Sequence, residues 1–395
     1  MHDLVREYAT ELVHGTPRTA ADDDAGEAAQ KAATSLRQLL EYYTRTALAA
    51  TSHLQPGVPT SGDFTDLDEA LLWLDRERAN LTASVAVAAA SGHQNLAVNL
   101  PVILYDYLEW CGYFDDLIAV TTTACDVAHR AGESAAEAGA WNNLGIALTE
   151  VSRYDDACNA HTRAASLFAS MGDHNEKGKA LNGLGSALRE SGRHSEAVQI
   201  HQEALAVQRT IEDIREQAAV LSNLSLDHQE LENFPEACDA AEEAALLFES
   251  LGDTANQAKA LCTAAYALQA SGQPEKVRAV CQRVVEVSSA VGSPRDEAAI
   301  LMACAELLTD LTPQQQIAFL VRAQAACERG NAQDLHAHAL LRLGQAWSER
   351  VTGDKPSPIS PVLQPCMKTS ALTAKRPPFA LCSRCADPAV RSAAA

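Results

Sequence analysis

A few residue groups in this sequence have side chains and spacings that could support metal chemistry. Cys382 and Cys385 form a C-x-x-C pair, which can hold zinc when a second ligand pair lies at a suitable spacing, but only Cys366 is nearby. His336 and His338 lie two residues apart, so on a helix they point about 200° away from each other and cannot share a metal. We interpret the cysteines as incidental and the histidines as surface residues, and we predict no metal site and no cofactor.

Catalytic and nucleotide-binding patterns are also missing from the sequence. Asp155 and Asp156 are adjacent, whereas acid–base catalysis needs carboxylates that face each other across a substrate. Their position at the start of a helical pattern favours an interaction with the helix dipole. No Ser-His-Asp or Cys-His arrangement can be argued, and no G-x-x-x-x-G-K-[ST] loop is present to cradle phosphates. The sequence therefore predicts a protein that is not an enzyme and binds no nucleotide by itself.

Composition and charge narrow the function classes further. The 395 residues are 47% hydrophobic but only 5% aromatic, which favours closely packed helices over a strand-rich core. The formal net charge of −21 argues against nucleic-acid binding by the whole chain, because phosphate contact requires a basic surface. No apolar run approaches the roughly 18 residues of a membrane span, and the cysteines lie mostly singly at apolar helical positions. We expect a cytoplasmic protein with reduced thiols.

A repeat of forty residues runs through the middle of the chain. The segments 140–168, 180–208, 220–248 and 260–288 align without a gap. The recurring columns are Trp141, Leu181, Leu221 and Leu261; Leu144, Leu184, Leu224 and Ala264; Gly145, Gly185, Ser225 and Ala265; and Ala164, Ala204, Ala244 and Val284.

Each repeat predicts two helices. Residues spaced i, i+3, i+4 and i+7 from Trp141 form one apolar stripe of a first helix. Gly192 and Gly272 end the first helices of their repeats, and Gly172 and Gly252 mark the turns into the next repeat. Because neither helix can bury its stripe alone, neighbouring pairs must stack.

The combination of Leu-Gly in the first helix and alanine in the second resembles the tetratricopeptide repeat, whose units are usually about 34 residues long. The longer units here are similar to those of kinesin light chains and bacterial signalling regulators. The resemblance covers 135–294 and extends over 95–134 and 295–334, with a final helix at "LHAHALLRLGQAWSER". It implies an all-α, right-handed superhelical solenoid of about six helix pairs, each about 40 residues long.

In the family that these repeats resemble, the first helices line a concave groove that binds peptides. The matching positions outside the apolar stripe include Asn142, Asn143, Lys179, Asn182, Arg189, Asn223, Gln229 and Lys259. The resemblance implies that the asparagine amides hold the backbone of an extended peptide, since an amide offers both donors and acceptors. The alternative is that these residues are simply solvated polar groups. Lys179, Arg189 and Lys259 would make the groove basic and favour an acidic peptide.

The two ends of the chain differ from the repeats. Met1, His2 and Asp3, followed by an alanine-rich helix and a second amphipathic helix, resemble the end of the winged-helix part of an NB-ARC module in actinobacterial regulators of the signal-transducing NTPase class. This implies a helical remnant at 1–50, a linker at 51–67, a helical lead-in at 68–94 and an array at 95–349, without that family's DNA-binding and nucleotide-binding parts. The segment 350–395 is broken by prolines, and its part from 351 on has six Lys or Arg against two Asp; we predict that it is disordered.

We therefore hypothesise a protein- or peptide-binding scaffold, the sensor and interaction arm of a bacterial transcriptional regulator. The alternative is a stand-alone receptor for a peptide signal, and a third hypothesis is an enzyme or metal protein that uses the cysteines of the tail. The expected partner is a protein or peptide in the groove. We expect no direct contact with nucleic acid or membrane, and self-association through the array is a further option.

Overall fold

The chain folds into helices joined by short turns. The computed structural model describes residues 23–54, 62–288, 291–307, 313–330 and 332–352, which form fifteen α-helices and one 3₁₀ helix and contain no β-strand. The helices are α1 (Asp23–Thr51), α2 (Leu67–Ala90), α3 (Gln94–Trp110), α4 (Phe114–Ala131), α5 (Ser134–Glu150), α6 (Tyr154–Met171), α7 (His174–Glu190), α8 (His194–Thr210), α9 (Ile214–Glu230), α10 (Phe234–Ser250), α11 (Thr254–Ala270), α12 (Pro274–Ser288), α13 (Pro294–Leu307), α14 (Pro313–Arg329) and α15 (Gln333–Thr352), with the 3₁₀ helix Ser52–Leu54 after α1. The predicted all-α fold is confirmed.

The described helices belong to two compact units. Helices α1–α7 form the first unit, which ends at Ser191, and α8–α15 form the second, which begins at Gly192. Three sequence-based predictions fall outside the described residues: the opening residues Met1, His2 and Asp3, the middle of the linker (55–61), and the tail from 353 on with Cys366, Cys382 and Cys385. The domain boundaries inferred from the sequence stay a prediction.

A left-handed backbone conformation recurs at every twentieth residue and ends one helix after another. The residues with positive φ are Gly92, Gly112, Gly132, Ser152, Gly172, Gly192, Glu212, Glu232, Gly252 and Gly272. At the first of the turns between repeats, Gly132 N–H donates to the His129 carbonyl at 3.1 Å and Glu133 N–H to the Ala128 carbonyl at 3.0 Å. This pair of bonds is the Schellman motif, which satisfies carbonyls at a helix end. The four glycine turns predicted from the sequence are confirmed.

An aspartate begins several of the first helices of the repeats. The side chains of Asp173, Asp213 and Asp253 accept hydrogen bonds from backbone N–H groups three residues later, at 3.0 to 3.1 Å. Such caps satisfy donors that have no partner inside the helix. A cap at one end and a left-handed turn at the other therefore fix the length of each first helix at 17 residues in these repeats.

The lead-in helix α2 joins the first repeat through a polar contact at the edge of an apolar core. The Tyr107 ring on α3 is fully buried, and its hydroxyl donates to Asp75 Oδ1 on α2 at 2.7 Å. The Tyr113 hydroxyl donates to the same oxygen at 3.1 Å, and the Arg78 guanidinium lies 3.7 Å from the Tyr113 ring centre. Helix α2 is thereby fixed against α3 and α4.

Repeats stack through their first helices within each unit. In the first unit α5 contacts α7, and in the second α9 contacts α11, α11 contacts α13 and α13 contacts α15. The small second-helix column is fully buried at Ala164, Ala204, Ala244 and Val284.

Within the described residues no helix is long and apolar enough to cross a membrane.

Candidate peptide-binding surface

Helix α5 carries two of the predicted binding residues side by side. Asn142 and Asn143 are both half-buried. Oδ1 of Asn142 lies 3.0 Å from Nδ1 of His161 on α6, and this is the only hydrogen bond of the Asn142 side chain to a described residue. The Asn143 side chain makes none within the described part of the chain. Both amides therefore keep hydrogen-bonding capacity for a ligand.

Helix α7 holds three predicted binding residues, and they are less accessible. Asn182 is 1% exposed and Arg189 is 8% exposed, so both side chains lie inside the protein. Lys179 is half-buried, and its Nζ lies 2.7 Å from Oε1 of Glu176, one turn earlier on the same helix. Of these three residues, Lys179 offers the most accessible side chain.

In the second unit, the predicted residues take part in the packing between repeats. Asn223 on α9 is fully buried. Gln229, also on α9, donates from Nε2 to the Thr263 carbonyl on α11 at 3.0 Å. The Lys259 ammonium on α11 lies 2.8 Å from Oδ1 of Asp296 on α13. Gln229 and Lys259 thus link neighbouring first helices.

The three cations expected to make the surface basic each have a carboxylate close by. Lys179 and Lys259 form ion pairs with Glu176 and Asp296, and Nη2 of Arg189 lies 3.9 Å from Oε1 of Glu190. Lys259 is only 8% exposed, so its pair is largely removed from solvent. An acidic ligand would have to compete with these internal carboxylates for the same cations.

A buried imidazole that was not predicted from the sequence lies behind Asn142. His161 is 1% exposed, and its ring lies between two glycines on neighbouring first helices. A Cβ atom added at Gly145 on α5 would lie 2.7 Å from the ring, and one added at Gly183 on α7 would lie 2.5 Å from it. Burial lowers the pKa of His161 from 6.5 to about 4, because the charged form is poorly solvated there. The imidazole is therefore neutral at physiological pH, and its Nδ1–H donates to Asn142.

A second histidine occupies the same register position one repeat later. His201 on α8 and Asp227 on α9 are both fully buried, and Nδ1 of His201 lies 2.5 Å from Oδ2 of Asp227. The same column continues with Ala241 and Cys281, which are also buried. This forty-residue column was readable in the sequence, and it marks a second-helix position that is buried in all four repeats.

Glu137 is another buried polar residue that the sequence did not single out. Its carboxylate accepts hydrogen bonds from Trp141 Nε1 at 3.2 Å and Arg163 Nη2 at 2.8 Å, and it lies 3.1 Å from Nδ1 of His129. Burial alone would raise the pKa of Glu137, but these hydrogen bonds more than offset that effect and lower it. The cluster joins α4, α5 and α6, so its role is to hold the repeat together.

The described residues show no cluster suited to metal binding, and the described cysteines with shifted pKa values are held as thiols. They contain no group of three or more His, Cys, Asp or Glu residues that could hold a metal ion. Burial raises the pKa of the Cys125 thiol to about 12 and that of Cys238 to about 11, which disfavours the reactive thiolate. Asp156 is paired with Arg153 at 2.7 Å near the start of α6.

Comparison with known proteins supports the fold. Residues 136–210, which include nearly all of α5 and helices α6–α8, match the tetratricopeptide repeat family. The fold is of the tetratricopeptide type. No curated protein matches the sequence significantly. Among solved structures, the apo form of RapI superposes with a TM-score of 0.51 at 11% identity, covering 90% of this chain and 99% of RapI.

Two further solved structures show a weaker likeness. BtubC (BKLC) from P. vanneervenii has a TM-score of 0.47 at 19% identity and covers 55% of this chain and 91% of its own. The signal transduction ATPase with numerous domains PH0952 from Pyrococcus horikoshii, which has a tetratricopeptide repeat sensor, has a TM-score of 0.49 at 12% identity. That match covers 69% of this chain and 44% of PH0952. At these identities the likeness concerns the fold alone.

Proposed function

We propose that this protein is a scaffold that binds a protein or peptide on the first-helix surface of its repeats, with Asn142 and Asn143 as the principal contacts. The observation that carries the proposal is that these adjacent, half-buried amides retain unused donors and acceptors on a stack of tetratricopeptide-type helices. A peptide backbone exposes one N–H and one C=O per residue, which complements side-chain amides. Lys179 lies on the next first helix of the same unit and would contact a flanking part of the ligand.

The arrangement of charges favours recognition of a peptide backbone over recognition of acidic side chains. Each candidate cation already lies within 4 Å of a carboxylate of this protein. Replacing such a pair by a pair with the ligand exchanges one ion contact for another and yields little net free energy. The acidic ligand expected from the sequence is therefore the less favoured form of the proposal.

We further propose that the binding surface serves as the sensor arm of a bacterial transcriptional regulator. This proposal is supported by the resemblance of the opening residues to an NB-ARC module, and ligand binding would then shift the equilibrium of a nucleotide-dependent switch. The alternative is a stand-alone receptor for a peptide signal. Sequencing the DNA upstream distinguishes the two roles, because an in-frame phosphate-binding loop supports the regulator and a promoter directly upstream supports the receptor.

A selection from random peptides tests the binding proposal. The full chain is immobilised and presented with an mRNA-displayed library of random twelve-residue peptides, and the dissociation constants of enriched peptides are measured by calorimetry. Asn143→Ala should weaken binding about tenfold, because the loss of one or two hydrogen bonds costs about 1.4 kcal/mol. Asn159→Ala is the matched control, since Asn159 is exposed on the second helix α6 and should leave binding unchanged. Failure to enrich any peptide, or equal effects of the two variants, would refute the proposal.

A further inference from the structure

The amide of Asn142 is held in one orientation by a buried partner. Nδ1 of His161 lies 3.0 Å from the amide oxygen Oδ1. A neutral imidazole carries one N–H, and a carboxamide oxygen can only accept, so the proton must be on Nδ1. His161 thereby fixes the Asn142 oxygen toward the interior and leaves the Nδ2 amino group on the opposite branch of the amide.

The packing around His161 makes this orientation rigid. The ring is sandwiched between Gly145 and Gly183, at distances where no Cβ could be accommodated. A rotation of the ring by 180° would exchange Nδ1 with a carbon and would leave Asn142 without its hydrogen bond. The two glycines therefore serve to admit the imidazole, and the imidazole in turn holds the amide.

We propose that His161 is a positioning residue that makes Asn142 a donor-only contact, so that this point of the surface selects a hydrogen-bond acceptor of the ligand, namely a backbone carbonyl of a peptide. This inference rests on the proposed function and specifies its chemistry. Asn143 has no such internal partner among the described residues, so its amide can rotate and present either end. The two neighbours together match the alternating C=O and N–H groups of an extended backbone: Asn142 takes a carbonyl, and Asn143 adapts to the adjacent group.

Among the described residues, the hydrogen bond from a second-helix histidine to a first-helix asparagine occurs in one repeat. His201 occupies the same register position as His161, but its Nδ1 pairs with Asp227. The equivalent second-helix residue is Thr121 in the repeat before His161 and Ala241 two repeats after it, and neither has an imidazole. A ligand carbonyl should accordingly be fixed in register with α5.

The first test exchanges the amide for an isosteric carboxylate. Asn142→Asp keeps an acceptor for His161 but removes both donors, so peptides selected by the displayed random library should bind at least tenfold more weakly. Asn159→Asp adds the same charge on the exposed face of α6 and should have no comparable effect. Absence of any enriched peptide overturns the proposed function. Enriched peptides that bind Asn142→Asp as tightly as the wild type overturn the inference alone.

Two further measurements address His161 itself. In ¹⁵N-labelled full-length protein near neutral pH, the His161 ring should show a protonated Nδ1 and an unprotonated Nε2; the opposite tautomer overturns the inference whatever the binding result. In a double-mutant cycle, His161→Gln should weaken peptide binding in the wild type but add nothing in the Asn142→Ala background, because it acts through Asn142. Additive losses overturn the positioning role. If His161→Gln fails to fold by circular dichroism, the tautomer and Asn142→Asp decide the question.

Discussion

The contact between His161 and the glycines next to it leads to a prediction about Gly145→Ala. The added methyl group would lie 2.7 to 2.8 Å from three atoms of the imidazole, well inside the roughly 3.5 Å at which carbon contacts are favourable. Retreat of the ring is opposed by Gly183 on the other side, where the ring packs so closely that a Cβ on that glycine would lie 2.5 Å from it. Overpacking of this kind costs about 1–3 kcal/mol.

The net effect of Gly145→Ala includes a gain from helix propensity. Replacing a glycine inside a helix with alanine stabilises the helix by about 1 kcal/mol. We therefore expect Gly145→Ala to lower the free energy of unfolding by up to about 2 kcal/mol, with about 1 kcal/mol as the central value. Gly139 lies on the same helix with nothing within 4 Å of its added Cβ, so Gly139→Ala should raise the free energy by up to about 1 kcal/mol.

Urea unfolding followed by circular dichroism measures both variants and their coupling to the histidine. In a His161→Ala background the clash disappears, and Gly145→Ala should then become stabilising, with a coupling energy of about 2 kcal/mol. If Gly145→Ala stabilises the wild type as much as Gly139→Ala does, the imidazole does not occupy the space between the first helices and the reasoning is wrong.

Three other substitutions or conditions have definite expected effects. Glu232 has a φ of 58°, and this left-handed conformation costs a residue with a side chain about 1 kcal/mol. Glu232→Gly should therefore raise the urea midpoint, and an unchanged or lower midpoint would contradict this. Asp227→Ala removes the buried carboxylate that hydrogen-bonds Nδ1 of His201 and should cost about 1–3 kcal/mol in the same assay; a cost below about 0.5 kcal/mol would show that this hydrogen bond is dispensable. Burial lowers the pKa of His161 from 6.5 to about 4, so the unfolded chain binds a proton more readily than the folded protein does. The contribution of neutral His161 to the free energy of unfolding is therefore fully present above pH 6.5 and is lost as the pH falls toward 4. Relative to His161→Gln, the wild type should lose about 3 kcal/mol over this interval, and parallel pH profiles would refute the assignment.

The helical architecture was predictable because its signals are local and repeated. Gly172, Gly192, Gly252 and Gly272 stand at helix ends in the sequence, and each adopts the left-handed conformation in the structure. The finer twenty-residue period was not apparent, because Ser152, Glu212 and Glu232 take the same conformation without being glycine. At those positions the main-chain bonds of the Schellman motif and the packing of the flanking helices impose a conformation that the side chain itself disfavours.

The candidate surface was predicted only in part. Helical spacing gives the angular position of a residue but not what lies opposite, so Asn142 and the buried Asn182 look equivalent in the sequence. The ion pair of Lys259 with Asp296 joins residues 37 positions apart, a separation that no local pattern reveals. His161 was overlooked because a single histidine on an apolar face resembles an ordinary core residue until its hydrogen-bond partner is known.

The turns at every twentieth residue also bear on how a gene for such a protein can change in length. The main-chain bonds that close these turns reach back no more than five residues, so the bonds themselves do not depend on which repeat comes next. Excision or duplication of forty codons between equivalent turns would rejoin the chain in the same local conformation and keep every apolar stripe in phase. A change that is not a multiple of forty codons would place the following helices out of register with the repeat, so selection should retain additions and losses in whole periods.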